Sequence, residues 1–407
     1  MTPSTALPAR DADPDATRGR APFLVFAALV CALGLVYSVV LLGGGLRYPD
    51  EADYLALARH LAALDGYTFD GVTPTAQRPP GYPVVLAPLV ALADSVHAVR
   101  LSQFAMLALA AHLLAGLVSA GAGVARWQRS SLLLALTFAY PVLFYTAGTL
   151  FPQTLLALAF AVVLVLLHRR GDSLAIAAGI GALAAFSVEI SPTVLVLLPA
   201  VLAFALLSAR WSGSRALVMA LAMSLVLGGW LARNVVVMGE PILFSTNLAE
   251  NLDNAVLNLE PLAPGEERPP AGAIDYGLER LGQYLADPGI YLRRVVDFFA
   301  SRNEMHVAAE SSSTRDLVMF LTYNALLLAV LARLALIRRR PLSAAEWWVL
   351  GLYLGTALFH ALVIPRIRYR LPFDFLLMLP ALNALLYALA AGRRARRPGG
   401  HLRRGAD

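Results

Sequence analysis

The chain has 407 residues, of which 58% are hydrophobic and only 15% charged, with a mean hydropathy of +0.65. That apolar share exceeds the roughly 45–50% of soluble domains and excludes an ordinary soluble enzyme. A lone cysteine, Cys31, excludes an intrachain disulfide, and the net charge of +6 does not mark a nucleic-acid binder, because the arginines flank apolar runs.

Taken in order, residues 1–21 are poor in apolar side chains and read as a disordered tail. The uncharged run from Pro22 to Gly43 is long enough to cross about 30 Å of hydrocarbon and too long for a signal-peptide core. It is read as a retained first span. A polar outer loop, 44–96, follows. Its opening, Arg47-Tyr48-Pro49-Asp50-Glu51-Ala52-Asp53-Tyr54, sets three carboxylates within four residues beside a membrane. Proline followed by acids predicts a helix start, because the helix dipole favours negative charge there. Leu55, Leu57, Ala58, Leu61 and Leu64 then predict an amphipathic helix lying along the surface.

Arg78-Pro79-Pro80-Gly81-Tyr82-Pro83 is a stiff turn that can hold Arg78 over the mouth of a bundle. Val84–Ala93 is too short to span. Spans are read at 97–123, 131–150, 152–167, 173–190, 193–208 and 216–238. A polar interval, 239–315, separates these from spans at 316–337, 345–364 and 370–391. The total is about ten crossings. Residues 393–407 form a basic tail, so 22–392 is one transmembrane module. No inverted repeat is visible, which disfavours a secondary transporter.

Orientation follows from arginine. Arg126, Arg129, Arg169, Arg170, Arg210, Arg215, Arg338 to Arg340 and the tail arginines fall on one side if spans alternate. That side is cytoplasmic by the basic-residue bias of short loops, with both termini on it. The loops 44–96 and 239–315 then share the outer face. The basic complement is all arginine, without lysine, which fits a GC-rich bacterial genome and a location in the cytoplasmic (inner) membrane.

Several residues along this outer face suit chemistry. Asp50, nearest the membrane, is the candidate general base, with Glu51 to assist or orient it. The plain alternative is that these acids only favour a helix start. In Trp230-Leu231-Ala232-Arg233-Asn234, Arg233 is either a snorkelling boundary residue or a phosphate binder. Ser245-Thr246-Asn247 and Asn251 suit sugar hydroxyls. Arg366-Ile367-Arg368-Tyr369-Arg370-Leu371-Pro372 places three arginines outside against the usual bias, so they need an anionic partner, either loop acids or a lipid phosphate. Glu189 and Asp374 lie within apolar runs, where an ionisable group is expensive. An arginine of the 366–370 cluster is the expected mate for Asp374. His60, His97, His112, His306 and His360 are scattered and read as structural.

These motifs, in this order, resemble the GT-C superfamily of polyprenyl-phosphate-sugar-dependent glycosyltransferases, in its protein O-mannosyltransferase and aminoarabinose-transferase-like branch. The resemblance implies an all-α polytopic bundle with amphipathic outer loop helices. It implies inverting transfer of a sugar from a polyprenyl-phosphate donor to a lipid, glycan or protein acceptor, with Asp50 as base. Arg78, Arg233, Arg366, Arg368 and Arg370 would bind the donor phosphate. Asp53, Tyr54, Tyr82, Asn234, Ser245, Asn247 and Tyr369 would contact substrate. Some relatives use a divalent ion and others do not. No cofactor is expected here, the alternative being Mg or Mn on the Asp50 loop. The chain departs from the pattern at Phe151-Pro152-Gln153, where relatives commonly show an acid, and at Ser191-Pro192, where they often carry Arg-Pro. By the same resemblance it is expected to be a shorter member, without the large C-terminal outer domain of longer ones. The competing classes are a transporter or lipid flippase without chemistry, and a non-catalytic lipid-binding relative.

Overall fold

The first apolar run forms α1 (Arg20–Val36) and continues as a π-helical segment, Tyr37–Leu42. Its end leaves carbonyls without helical partners. Arg100 takes up two carbonyls just beyond it, donating from Nη1 to Gly43 O at 2.8 Å and from Nη2 to Gly45 O at 2.7 Å. This turns the chain into α2 (Pro49–Ala63), which begins as predicted, with Pro49 in its first turn and Asp50 and Glu51 beside it. The computed structural model describes residues 20–119, 123–168, 173–208, 211–247, 281–300, 313–363 and 366–395, the side chains of Arg20 and 393–395 excepted. The expected tails through residue 19 and from 396 lie outside the described residues. So do Arg169, Arg170, Arg210, Asn251, His306 and most of the 239–315 loop.

The remaining helices are α3 (Gly81–Leu92), α4 (Val96–Ala115), α5 (Arg126–Ala139), α6 (Pro141–Ala147), α7 (Gln153–His168), α8 (Leu174–Ile190), α9 (Leu197–Leu207), α10 (Gly213–Met238), α11 (Pro288–Phe298), α12 (Ser313–Ala335), α13 (Ala344–Leu362) and α14 (Ile367–Ala395). Among the described residues the only strand-like pairing is one isolated bridge, Thr68 to Pro74. The chain is an all-α polytopic membrane protein.

Five segments are long and apolar enough to cross a bilayer: Ala21–Leu42, α4, α10, α12 and Ile367–Gly392. α5 and α6 form a sixth if taken together, bent by 89° where Pro141 lacks the N–H to continue the helix. The other apolar runs form shorter helices. α7 and α8 have 16 and 17 residues, about 24–26 Å at 1.5 Å per residue, less than the hydrocarbon thickness. They sit inside the bundle, where neighbouring protein replaces lipid.

Burial sorts the helices into layers. The span windows of α1, α10 and α12 are each only 17% buried, against 56% for α4 and 61% for α14. α10 exposes Leu217, Leu221 and Leu225, a stripe at one-turn spacing that fits acyl chains. α14 crosses the centre, with Leu371 to Leu382 buried without a break. It packs on α7, α12 and α13, and α8 packs along α10.

The loops at one end tie to one another. Leu150 N–H donates to Glu51, Thr246 N–H donates to Ala76 O, and Arg370 donates to Ala300 O. That end carries the acidic loop.

Candidate active site

Asp50 leaves the first turn of α2 and meets two guanidiniums from distant parts of the chain. Arg78 Nη2 donates to its Oδ1 at 2.7 Å, and Arg368 Nη1 donates to its Oδ2 at 2.8 Å. Arg78 also grips Asp53, from Nε at 3.0 Å and Nη2 at 2.7 Å. The stiff turn before α3 is pinned by the Tyr67 hydroxyl, which donates to Arg78 O and Pro79 O. Gly81 lets that turn lie directly on the end of α8: a Cβ there would come within 2.6 Å of Ile190 N. Arg368 sits in the first turn of α14, near the faces of the Phe151 and Tyr369 rings, and donates to the Tyr369 hydroxyl.

These contacts set the local electrostatics. Burial raises the Asp50 carboxyl, but Arg368 first and Arg78 second outweigh it and hold it below its ordinary value. Burial pushes the Tyr54 phenol up to about 12, so it remains neutral with its proton in place.

Two cavities meet at Arg368. The smaller, about 60 Å³, mixes polar and apolar groups and is lined by Tyr54, Arg78, Gln153, Ser191, Thr193, Ser245, Asn247, Arg368 and Tyr369, with Phe151, Ile190, Val363 and the prolines 79, 152 and 192. The larger, about 520 Å³, has an apolar body of Leu41, Val142, Val318, Met319 and Leu371 and a basic rim of Arg47, Arg315 and Arg368. Phe151, Gln153 and Arg368 belong to both. Asp50 is not itself on either wall. It lies behind the two arginines that are.

No family model matches the chain, and no curated protein does. It is similar to two solved structures of ArnT from Cupriavidus metallidurans. The one bound to undecaprenyl phosphate is 15% identical over 93% of this chain and 79% of that chain, with a TM-score of 0.41. The apo one is 18% identical over 94% of this chain and 79% of that chain, with a TM-score of 0.35.

Of the residues singled out in the sequence, the structure brings together Asp50, Asp53, Arg78, Arg368, Tyr54, Tyr369, Ser245 and Asn247. Six others are placed elsewhere. Glu51 is fully buried and accepts the backbone N–H groups of Arg47, Tyr48 and Leu150, so it is a fastener of the loop and not an assistant to Asp50. Tyr82 is buried beneath Tyr54 and donates to Gln103. Arg233 lies near the faces of Tyr67 and Trp230 and donates to the carbonyls of Thr75 and Tyr67, which fixes α10 to the loop after α2. Asn234 is buried and donates to Ile242 O. Arg366 is exposed ahead of α14 and is on neither cavity wall. Arg370 is buried. It donates to Asp374 at 3.1 Å, the mate foreseen for that acid, and to the carbonyls of Phe298 and Ala300. The Tyr140 and Tyr353 hydroxyls complete the Asp374 shell at 2.8 Å each.

The cavities also enlist residues given no site role from sequence: Arg47, Arg315, Gln153 and the Ser191–Thr193 hydroxyl pair. Arg47 was the one signal within reach, three residues before Asp50. As for a divalent ion, Asp50 and Asp53 are engaged by Arg78, and among the described residues no three acids, histidines or cysteines cluster as ligands. A cation at Asp50 would have to displace a guanidinium.

Proposed function

We propose that this protein is a membrane glycosyltransferase of the GT-C kind, moving a sugar from a polyprenyl-phosphate donor to an acceptor hydroxyl on the outer face. The observation that carries the reading is Asp50 held between Arg78 and Arg368 at the junction of a small cavity of mixed lining and a large amphipathic one. A prenyl chain suits the apolar body of the larger cavity. A phosphate suits its basic rim, with Arg368 presenting a planar fork of donors.

The same geometry suggests how the base is made ready. A carboxylate held by two guanidiniums is a weak base, whereas general-base catalysis is best with a pKa nearer the working pH. A donor phosphate competes for Arg368. Its arrival withdraws the largest influence holding the Asp50 carboxyl down and frees an oxygen for the acceptor. The acceptor oxygen then bonds to the anomeric carbon as the bond from that carbon to the phosphate oxygen breaks on the opposite face, which inverts the centre. The acceptor proton goes to Asp50. The electron pair goes to the polyprenyl phosphate, whose growing charge Arg368 stabilises. No divalent ion is required in this scheme, so activity is expected to survive chelation.

A non-catalytic lipid binder is the second reading, favoured by Asp50 being engaged by both arginines and absent from the cavity walls. Asp50→Asn separates the two. The expected outcome is transfer lowered at least about a thousandfold, as for loss of a base with its electrostatics, with polyprenyl-phosphate binding retained. Transfer at the normal rate by the variant would remove Asp50 from the chemistry.

A further inference from the structure

Gln153 opens α7 on the wall shared by the two cavities. Its side chain makes no hydrogen bond among the described residues. It is 5% exposed, and its Oε1 is buried without a partner. A buried amide oxygen is normally paired, and leaving it unpaired is unfavourable. A ligand hydroxyl that donates to it removes that penalty.

The charges around Gln153 restrict what the ligand carries. The charged groups of the polar wall are Arg78 and Arg368, and both are matched by carboxylates behind them, Asp50 and Asp53. Among the described residues no carboxylate lines that cavity. Among the residues lining the larger one, Asp316 is the sole acid, on the first turn of α12 beside Arg315. Glu189, one residue before the lining Ile190, is buried and reaches neither wall. The rest of the polar wall is neutral: the Ser191, Thr193 and Ser245 hydroxyls, the Asn247 amide and the Tyr54 and Tyr369 phenols. An ammonium group here would face two guanidiniums, and the anions near it are already claimed, Asp50 and Asp53 by Arg78 and the donor phosphate of the proposed scheme by Arg368. That is a repulsive element against a cationic ligand.

We infer that the transferred glycosyl group is uncharged and donates a hydroxyl hydrogen bond to Gln153, so that this site selects a neutral sugar over an amino sugar. The inference rests on the lipid-linked-sugar reading above. It names Gln153 as the residue that sets sugar class.

The test is binding by the full chain in lipid nanodiscs of three probes: bare polyprenyl phosphate, the same lipid carrying a neutral hexose, and the same lipid carrying a hexosamine. The neutral glycolipid is expected to bind about tenfold more tightly than the bare lipid, the worth of one satisfied buried polar group. The hexosamine lipid is expected to bind no more tightly than the bare lipid. Gln153→Met, measured against its own affinity for the bare lipid, should lose the tenfold gain. Gln153→Glu should shift preference toward the hexosamine. A wild-type protein that binds the hexosamine lipid as tightly as the neutral one, or a Gln153→Met variant that keeps the gain, overturns this inference and leaves the lipid-linked-sugar reading standing. Failure of bare polyprenyl phosphate to bind at all overturns both.

Discussion

Asp50 and Glu51 leave the first turn of α2 about 100° apart, because successive side chains on a helix step by that angle. One therefore points to the arginines and the other into the protein, where three backbone N–H groups take up its oxygens. The same arithmetic divides the late cluster. Arg368 and Arg370 are two residues apart in α14, about 200° around the helix, so they cannot serve one anion. Arg368 faces Asp50, and Arg370 faces Asp374 and the end of α11. The pH profile of kcat/KM reports these neighbours, since it follows the free enzyme. Asp50 is held below the ordinary carboxylate value of about 3.9, so its acid limb should fall below that pH. Removing a positive neighbour favours the protonated form and raises the pKa. Arg78→Gln and Arg368→Gln should each move the limb to higher pH, Arg368→Gln further because its influence is the larger. Arg368→Gln should also lower kcat by about 10²–10³, as for loss of a charge-stabilising donor. An acid limb that stays in place in both variants would show that another group titrates.

At the scale of elements, the acidic helix, the stiff turn and the late arginines were legible because each broke a local rule: acids at a membrane edge, paired prolines around a glycine, arginines on the outer face. Their partners were not legible. Arg368 lies 318 positions from Asp50, and nothing local records that pairing. The span count was harder still, since apolar runs such as α7 and α8 look the same whether lipid or protein covers them. Reading 365–369 as the connection between two spans hid the division of these arginines, because the helix already begins at Ile367. Gly81 is where element packing governs the site most directly. A Cβ there meets Ile190 N at 2.6 Å and Glu189 C at 2.7 Å, both backbone atoms that no side-chain rotation can clear. Gly81→Ala should therefore lift α3 from α8 and carry Arg78 with it. The expected cost is about 1–3 kcal/mol, typical of overpacking. The thermal midpoint in detergent should fall, and kcat/KM should fall more than lipid affinity. An unchanged midpoint would mean that the two helices are not in contact at this point.

For the whole molecule, the question is which end faces the cytoplasm. Both ends hold arginines paired with carboxylates, and at the end of α12 Arg333 meets Glu346. At the site end, Arg78, Arg368 and Arg370 are each paired with a carboxylate. At the other end, Arg126, Arg129, Arg215 and Arg338 to Arg340 have no carboxylate partner among the described residues. The bias that keeps basic residues inside acts on them with full force. We propose on this bias that the Asp50 loop lies outside, where a lipid-linked donor would be met. Two positions test it in a Cys31→Ala background, with no other thiol present. Val72, 82% exposed in the loop after α2, lies at the site end. Ser212, exposed just before α10, lies at the other. In spheroplasts a membrane-impermeant maleimide should label Val72→Cys at once and Ser212→Cys only after the membrane is opened. The reverse pattern would put Asp50 and both cavities on the cytoplasmic side. The donor would then have to present its sugar there, and the outward-facing reaction would fall, even though every contact around Asp50 stayed the same.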